Sequence, residues 1–357
     1  MFDFIMSKVI EPMSVFILII LLVSFMNQGN QLYTGCKTAV YYMGRVTNRV
    51  GVILLALLIV GLLPIRNKAL IGAPVMKDIG EIVNMRKYNN AAVSFFGGHM
   101  HYMTSPLSSS LALIMTMGAV SFHEIILGGL WIPALIWVIL SIVQIRFNKE
   151  NQREACNTAF RLKNMTKMPV HGLMGLLPIV TIFVLALSTN LHYRWIILIA
   201  ISVAVVVQLL EGILFDTIFP SIKETFKKMD WKLIGIIFAV LNLSIVITET
   251  GIVHKMPSQY ILVFAFLAGI ICGSSSTTVA ISMGVFGCVV MGQPALVAQM
   301  YLACFLGYIL SPVHRCIFIN AKIFEVSLVK LYITNVIICA IVGSLGFFFM
   351  SLIHPLI

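Results

Sequence analysis

The sequence has little charge: Asp, Glu, Lys and Arg make up only 10% of its 357 residues, against roughly 25% in a soluble domain. Apolar residues make up 60%, and they fill window after window with almost no ionisable side chain, as the hydrocarbon core of a bilayer requires. This composition excludes a water-soluble enzyme. It predicts an all-α polytopic membrane protein whose first partner is lipid.

Acidic residues are scarce, with 13 Asp and Glu against 24 Lys and Arg, for a net charge of +11. In a soluble protein this balance would indicate nucleic-acid binding. Here the basic residues lie in short loops between apolar segments, where they encode membrane orientation. No nucleic-acid partner is therefore predicted.

Motifs for metals and disulfides are also missing. The seven cysteines form no C-x-x-C pair and lie mostly within apolar runs, which is typical of small buried residues. There is no H-E-x-x-H motif, and His99 and His101 are two residues apart, so one helix face would not present both. No metal, cofactor or catalytic residue is predicted, which argues against an intramembrane enzyme.

Eight apolar segments are long enough to cross a bilayer. They span residues 9–26, 91–118, 124–145, 171–187, 195–218, 233–248, 297–320 and 328–354. Two other apolar stretches, 50–63 and 260–272, are too short, since 14 residues rise roughly 21 Å against a core of about 30 Å. Each breaks and then resumes, so we predict two re-entrant hairpins over 50–76 and 260–291.

This topology sorts the basic residues. Eighteen Lys and Arg fall on one side and three on the other, while Arg66, Lys68 and Arg315 lie at breaks. The basic side is cytoplasmic by the positive-inside rule. We therefore predict a multi-pass protein of the cytoplasmic (inner) membrane with both termini outside.

The segments form an inverted repeat. Residues 1–145 hold the first repeat, 146–169 a basic cytoplasmic linker, and 170–357 two additional helices followed by the second repeat. Helix 9–26, hairpin 50–76, broken helix 91–118 and helix 124–145 correspond in order to helix 233–248, hairpin 260–291, broken helix 297–320 and helix 328–354. The first set starts outside and the second inside. Inverted repeats with interrupted segments are typical of secondary transporters, whose sites lie near mid-membrane.

Prolines and glycines mark the helix breaks. A proline frees carbonyls of the preceding turn, and irregular backbone at membrane depth needs protein or a water-filled cavity to cover it. The predicted breaks are at Pro64, Pro74, Pro106, Gly273 and Pro312. Breaks in mirrored positions predict one shared polar cavity.

Hydroxyl-bearing residues flank these breaks and are the predicted substrate-binding residues. One half of the site comprises Ser274, Ser275, Ser276, Thr277 and Thr278; the other comprises Thr104, Ser105, Ser108, Ser109 and Ser110, with Ser311 at the second break. Helix N-termini attract anions, while freed carbonyls and hydroxyls suit Na⁺. The alternative for each hydroxyl is a bond to a nearby carbonyl of its own kinked helix.

Arg66 and Lys68 are the most unusual residues of the sequence, because a cationic side chain inside a bilayer is tolerated only where it contacts water or an opposite charge. They are predicted to counter an anionic solute; the alternative is a shallow hairpin with snorkelling side chains, or pairing with an acid such as Glu211. His99, His101 and His314 are predicted to bind substrate or carry a proton. A purely structural role is the alternative for each.

Two stretches carry a family resemblance. They are Gly61-Leu62-Leu63-Pro64 leading to Ala69-Leu70-Ile71-Gly72-Ala73-Pro74-Val75-Met76, and Gly307-Tyr308-Ile309-Leu310-Ser311-Pro312-Val313-His314, together with the spacing from His99 to Pro106. In these the chain resembles the DUF401 family of integral membrane proteins, grouped with the ion transporter superfamily. That superfamily includes citrate, dicarboxylate, gluconate and arsenite permeases, Na⁺/H⁺ antiporters and the large membrane subunit of TRAP transporters.

The resemblance implies an inverted-repeat fold that moves against a scaffold, and a homodimer through the scaffold helices. Two features differ from the family pattern: Arg66-Asn67-Lys68 stands where a Pro-Gly-Gly turn is usual, and additional helices are absent before Glu11. The leading hypothesis is a secondary transporter of a small polar solute, an organic or inorganic anion, driven by a Na⁺ or H⁺ gradient. The rivals are a Na⁺/H⁺ antiporter on the same fold and a transport-incompetent membrane subunit or scaffold.

Overall fold

The computed structural model describes most of the chain. The described residues are 10–26, 35, 38–39, 41–42, 49–62, 68–82, 85–106, 108–146, 170–189, 191–215, 222–229, 231–250 and 257–353. All regular structure within them is helical, which confirms the predicted all-α class. The basic linker lies outside the described residues from 147 to 169.

The helices of the N-terminal part follow the predicted segments. They are α1 (Glu11–Met26), α2 (Arg49–Leu62), α3 (Lys68–Ile82), α4 (Lys87–His99), the single turn α5 (His101–Thr104), α6 (Ser109–Gly118), α7 (Phe122–Ile125) and α8 (Trp131–Arg146). A π-helical segment, Ile126–Leu130, joins α7 to α8. The predicted helix 124–145 therefore begins two residues earlier, where Ser121 and Glu124 form a capping box.

The C-terminal part begins with a 3₁₀ segment, Val170–Leu176. The helices that follow are α9 (Leu177–Ser188), α10 (Tyr193–Phe215), α11 (Ile222–Lys228), α12 (Trp231–Thr250), α13 (Ser258–Cys272), α14 (Ser275–Val290), α15 (Pro294–Leu310), α16 (Arg315–Phe324) and α17 (Leu328–Ile353).

Among the described residues, three helical spans are long and apolar enough to cross a membrane: Phe122–Ile145, Tyr193–Leu210 and Leu328–Ile353. A fourth is obtained if α15 and α16, which meet at 46°, form one broken span. The long helix α17 is predominantly apolar on every side. In α17, Leu331 and Val342 are buried while Val329 and Phe348 are exposed, as expected where one face meets protein and the other lipid.

Two helices are interrupted by non-helical backbone. The first runs through α4 and α5, is not helical at Ser105, Pro106 and Ser108, and continues as α6. The second is interrupted from Ser311 to His314, between α15 and α16. Each interruption contains a Ser-Pro pair, and the proline cannot supply an N–H to the helical ladder.

The two broken helices run antiparallel. The start of the first lies beside the end of the second, where Lys87 Nζ donates to Glu325 at 2.7 Å. The end of the first lies beside the start of the second, where the Gly292 N–H donates to the Gly118 carbonyl at 2.8 Å. The breaks, near the middle of each helix, are thereby brought side by side.

The hairpin α13–α14 reaches this central region with its tip. Gly273 ends α13 in the left-handed conformation, with φ +57°, which favours glycine. A Cβ at this position would lie 2.5 Å from Val313 Cγ2 and 3.1 Å from Ser311 Oγ. The hairpin tip is therefore packed against the second helix break.

The ion pair between Lys87 and Glu325 supports a prediction about pH. Hydrogen bonding and the Lys87 charge lower the pKa of Glu325, and the same contact raises the pKa of Lys87. The stability that this pair contributes is present at neutral pH, is lost as pH falls through the lowered Glu325 pKa, and is also lost as pH rises through the raised Lys87 pKa. Because both side chains are 66% exposed, the effect is small. Glu325→Gln is expected to lower the thermal midpoint slightly at neutral pH and not in acid.

Asp78→Asn, at an exposed acid of α3, is the control for this comparison. Thermal unfolding in detergent across pH measures both variants. A lowering of the thermal midpoint in Glu325→Gln that is the same at neutral and at acidic pH would contradict the ion pair between Lys87 and Glu325.

Candidate functional site

The first turns of α6 and α14 meet at the centre of the molecule. Ser109, the first residue of α6, and Ser276, the second residue of α14, share a hydrogen bond between their Oγ atoms at 2.8 Å. They are 167 positions apart in sequence. The two predicted hydroxyl clusters are therefore joined directly.

A second, buried hydroxyl network is formed by the residues on either side of Ser109 in the sequence. Ser108 caps α6, accepting from the Leu111 N–H at 3.5 Å, and its Oγ lies 2.9 Å from that of Ser110. The Ser110 hydroxyl lies 3.0 Å from the Tyr301 hydroxyl. Tyr301 in turn donates to the Tyr102 carbonyl at 2.6 Å. Each of these hydroxyls therefore has a hydrogen-bond partner within the protein.

Side chains also take up carbonyls that the breaks release. Asn335 of α17 donates to the Ile309 carbonyl at 2.9 Å, and Tyr332 donates to the next carbonyl along α15. Ser311 donates to the carbonyl of Ile270 in α13 at 2.7 Å. These acceptors carry protein hydrogen bonds, as burial at membrane depth demands. Hydroxyls and helix N-termini therefore define the candidate site better than freed carbonyls do.

A cluster of rings lies beside the network. His99 Nε2 and His314 Nε2 are 3.1 Å apart, and both residues are buried. The His314 ring stacks on Tyr308 with centroids 4.2 Å apart. The Tyr102 and Tyr308 hydroxyls, one from each broken helix, approach to 3.5 Å.

Several predicted residues make only local bonds. Thr104 donates to the Met100 carbonyl at 3.1 Å, and Thr278 donates to the Ser274 carbonyl at 2.7 Å; both follow the alternative of back-bonding along their own helix. The Ser274 and Thr277 hydroxyls bond each other at 3.0 Å.

The remaining predicted polar residues lie around the breaks. Ser275 is buried beside the Tyr102 hydroxyl, and Ser105 is fully buried. Pro106 lies at the first break, where its carbonyl accepts from Tyr193. Pro312 lies exposed at the second break.

The predicted cations belong to the first hairpin. Pro64 and Arg66 lie outside the described residues, and Lys68 is the first residue of α3. Pro74 lies exposed inside α3, which continues through it to Ile82, so the structure places no helix break at Pro74. The described α3 packs against α16.

The sequence reasoning missed three tyrosines and a cysteine. Tyr102 and Tyr308 stand three residues before the Ser-Pro pair in their respective breaks, a repeated spacing that could have identified both. Tyr301 and Cys316 have no such signal. Their places depend on how α15 and α16 pack against the other broken helix.

Apolar helices of membrane length surround buried polar residues at two helix breaks, which is the architecture of a multi-pass helical membrane protein. The chain belongs to the family described as "Protein of unknown function (DUF401)", whose model matches residues 1–353. No curated protein matches the chain.

Proposed function

We propose that this protein is a secondary active transporter of a small polar anion, coupled to a Na⁺ or H⁺ gradient by alternating access. The observation that carries the proposal is the hydrogen bond between Ser109 and Ser276. It joins the first turns of two helices from the two halves of the sequence, one beginning at a helix break and the other at the tip of a hairpin.

The chemistry of this junction favours an anion. The first N–H groups of a helix lack intrahelical acceptors, and the helix dipole adds partial positive charge there. Two such termini, α6 and α14, meet at the junction of Ser109 and Ser276, and their hydroxyls are donors that can turn towards an anion. No Asp or Glu is among the described residues of this junction. A carboxylate or an oxyanion fits these donors.

Two cationic residues stand at the starts of two other helices. Lys68 and Arg315 are the first residues of α3 and α16, two helices that pack together. An anion entering between the broken helices would be drawn by both. In this proposal Arg66, which lies outside the described residues two positions before Lys68 in the sequence, also counters the anion.

An inverted repeat of the ion transporter superfamily type is part of the proposal. The antiparallel broken helices support it, and so does a repeat offset by 206 positions, in which Tyr102-x-x-Ser105-Pro106 matches Tyr308-x-x-Ser311-Pro312. The matching tyrosines contact each other, as residues on a pseudo-two-fold axis would. In addition, the hairpin helix of each repeat packs on the broken helix of the other repeat. The second repeat's α14 packs on the first repeat's α6, and the first repeat's α3 packs on the second repeat's α16.

Membrane placement follows the charge distribution. We propose the inner membrane with both termini outside, because the basic loops then face the cytoplasm. The contact between Lys87 and Glu325 supports placing their two loops on one side. We also propose a homodimer that forms through exposed apolar faces such as those of α10 and α17. The proposal includes no enzyme activity.

Proteoliposome flux tests the transport function. Purified protein is reconstituted, and uptake of labelled dicarboxylates, citrate, gluconate and arsenite is measured with an imposed Na⁺ or H⁺ gradient and without one. We expect accumulation of at least one anion that collapses when the driving gradient is dissipated. Exchange of Na⁺ for protons without anion flux would identify the antiporter instead, and no flux of either kind would favour a transport-incompetent subunit.

A further inference from the structure

The His99–His314 pair has a third potential metal ligand close by. Cys316 is the second residue of α16, and its Sγ lies with the two imidazole nitrogens in a group whose ligand atoms are all within 4.8 Å of one another. His99 ends α4 and His314 immediately precedes α16, so the three side chains come from both broken helices. The transport proposal assigns no role to the thiol.

The hydrogen bonding of His99 prepares it as a ligand. Its Nδ1 lies 2.6 Å from the Phe95 carbonyl oxygen, and because a carbonyl can only accept, Nδ1 carries the proton. Nε2 then presents its lone pair towards His314 Nε2. A metal-bound histidine is usually oriented in this way, with its other N–H donated to a backbone carbonyl.

The distances fit a tetrahedral ion. With metal–nitrogen bonds of about 2.0–2.1 Å, two imidazole nitrogens on one tetrahedral centre are roughly 3.3 Å apart. The observed Nε2–Nε2 distance is 3.1 Å, so both rings can ligate with little movement. A thiolate and an imidazole nitrogen on one zinc ion are about 3.6 Å apart. Because the three ligand atoms lie within 4.8 Å of one another, the thiol needs a shift of at most roughly 1 Å.

The surroundings favour a thiophilic ion over a hard one. Phe95, Tyr102 and Tyr308 pack their rings against the two histidines. Among the residues that the structure describes, no carboxylate joins the cluster, whereas Mg²⁺ and Ca²⁺ require oxygen ligands. Imidazole with thiolate selects Zn²⁺ and related ions.

We propose that His99, His314 and Cys316 bind one Zn²⁺-type metal ion. The thiol loses its proton on binding, and the thiolate offsets one of the two positive charges. Three protein ligands leave one tetrahedral position for water or a solute atom. A bound ion would tie α4 to α16 across the two breaks. This site does not depend on the transport proposal.

Cobalt substitution of the purified full-length protein tests the site. Co²⁺ and Zn²⁺ are added separately to protein freed of metal with a chelator. We expect one Co²⁺ per chain, with tetrahedral d–d bands and thiolate-to-cobalt charge-transfer absorption that Zn²⁺ abolishes. Cys316→Ser is expected to lose the charge-transfer absorption and at least roughly 100-fold in affinity, since even outer-shell changes cost about 10–100-fold.

Matched controls separate ligation from folding. Cys288→Ser changes another half-buried cysteine, and His101→Gln changes a neighbouring histidine whose Nδ1 lies 2.9 Å from the Gly98 carbonyl oxygen; both are expected to bind Co²⁺ as the parent does. Size-exclusion profile and thermal midpoint report folding. A simple hydrogen bond between His99 and His314 would give no Co²⁺ spectrum in the parent protein. That result, or unchanged binding in Cys316→Ser, overturns the proposal.

Discussion

Replacing Ser276 with aspartate is expected to lower anion uptake strongly without unfolding the protein. Ser276 is the second residue of α14, and its Oγ lies 2.8 Å from that of Ser109. A carboxylate there is favourable to the helix, by about 0.3–1 kcal/mol, because it complements the N-terminal dipole. For a transported anion about 5 Å away, the same charge costs roughly 3 kcal/mol at an effective dielectric constant of 20. Uptake should therefore fall about 100-fold.

Ser276→Asn is the matched control, since asparagine has the size of aspartate without its charge. We expect it to retain most of the uptake that Ser276→Asp loses, and both variants to keep the parental thermal midpoint to within a few degrees. Anion-induced stabilisation in a thermal-shift assay gives a second readout, because a ligand of the folded state must stabilise it. Equal uptake by the two variants would place the anion elsewhere.

Gly307→Ala is expected to give the largest loss of stability. At Gly307, α15 touches α13: an added Cβ would lie 2.0 Å from the Phe266 carbonyl oxygen and 3.1 Å from Gly269 Cα. These are backbone atoms, so relief requires the two helices to separate. Small residues permit such close approach between membrane helices. Overpacking usually costs about 1–3 kcal/mol, and a backbone clash should cost about 3 kcal/mol or more.

The control for this substitution is Gly235→Ala in α12, where a Cβ would meet nothing within 4 Å. Alanine is a better helix former than glycine by about 1 kcal/mol, so this variant should be as stable as the parent or more so. The thermal midpoints of both variants are measured in detergent, with size-exclusion chromatography to monitor the loss of folded protein. A parental midpoint in Gly307→Ala would mean that α13 and α15 are not in this contact.

Helix positions could be predicted from the sequence because their causes are local. Apolar runs define the helices to within a few residues: the predicted segment 328–354 is observed as Leu328–Ile353. The breaks beside Pro106 and Pro312 are equally local, since each proline lacks its own N–H. Pro74 shows the limit of this reasoning, because α3 continues through it. Local sequence alone does not determine whether neighbouring groups can make up for one missing hydrogen bond.

The composition of the site was only partly predictable. Runs of serine and threonine beside the breaks pointed to Ser109 and Ser276, but also to Thr104, which merely bonds its own helix. A hydroxyl can bond along the helix or across to another one, and the residue type is the same in both cases. The choice depends on which neighbour the packing supplies.

The amino-acid sequence alone is enough to identify a helical membrane protein whose basic residues lie in loops between apolar segments, because solvation by lipid acts on each segment separately. The contacts of Ser109 with Ser276 and of His99 with His314, across 167 and 215 positions, depend instead on tertiary packing. The pairing of the histidines arises from the antiparallel packing of the two broken helices, and the pairing of the serines arises from the packing of the hairpin helix α14 against α6. Packing between distant segments depends on the shapes of all the helices together, and no local pattern encodes it.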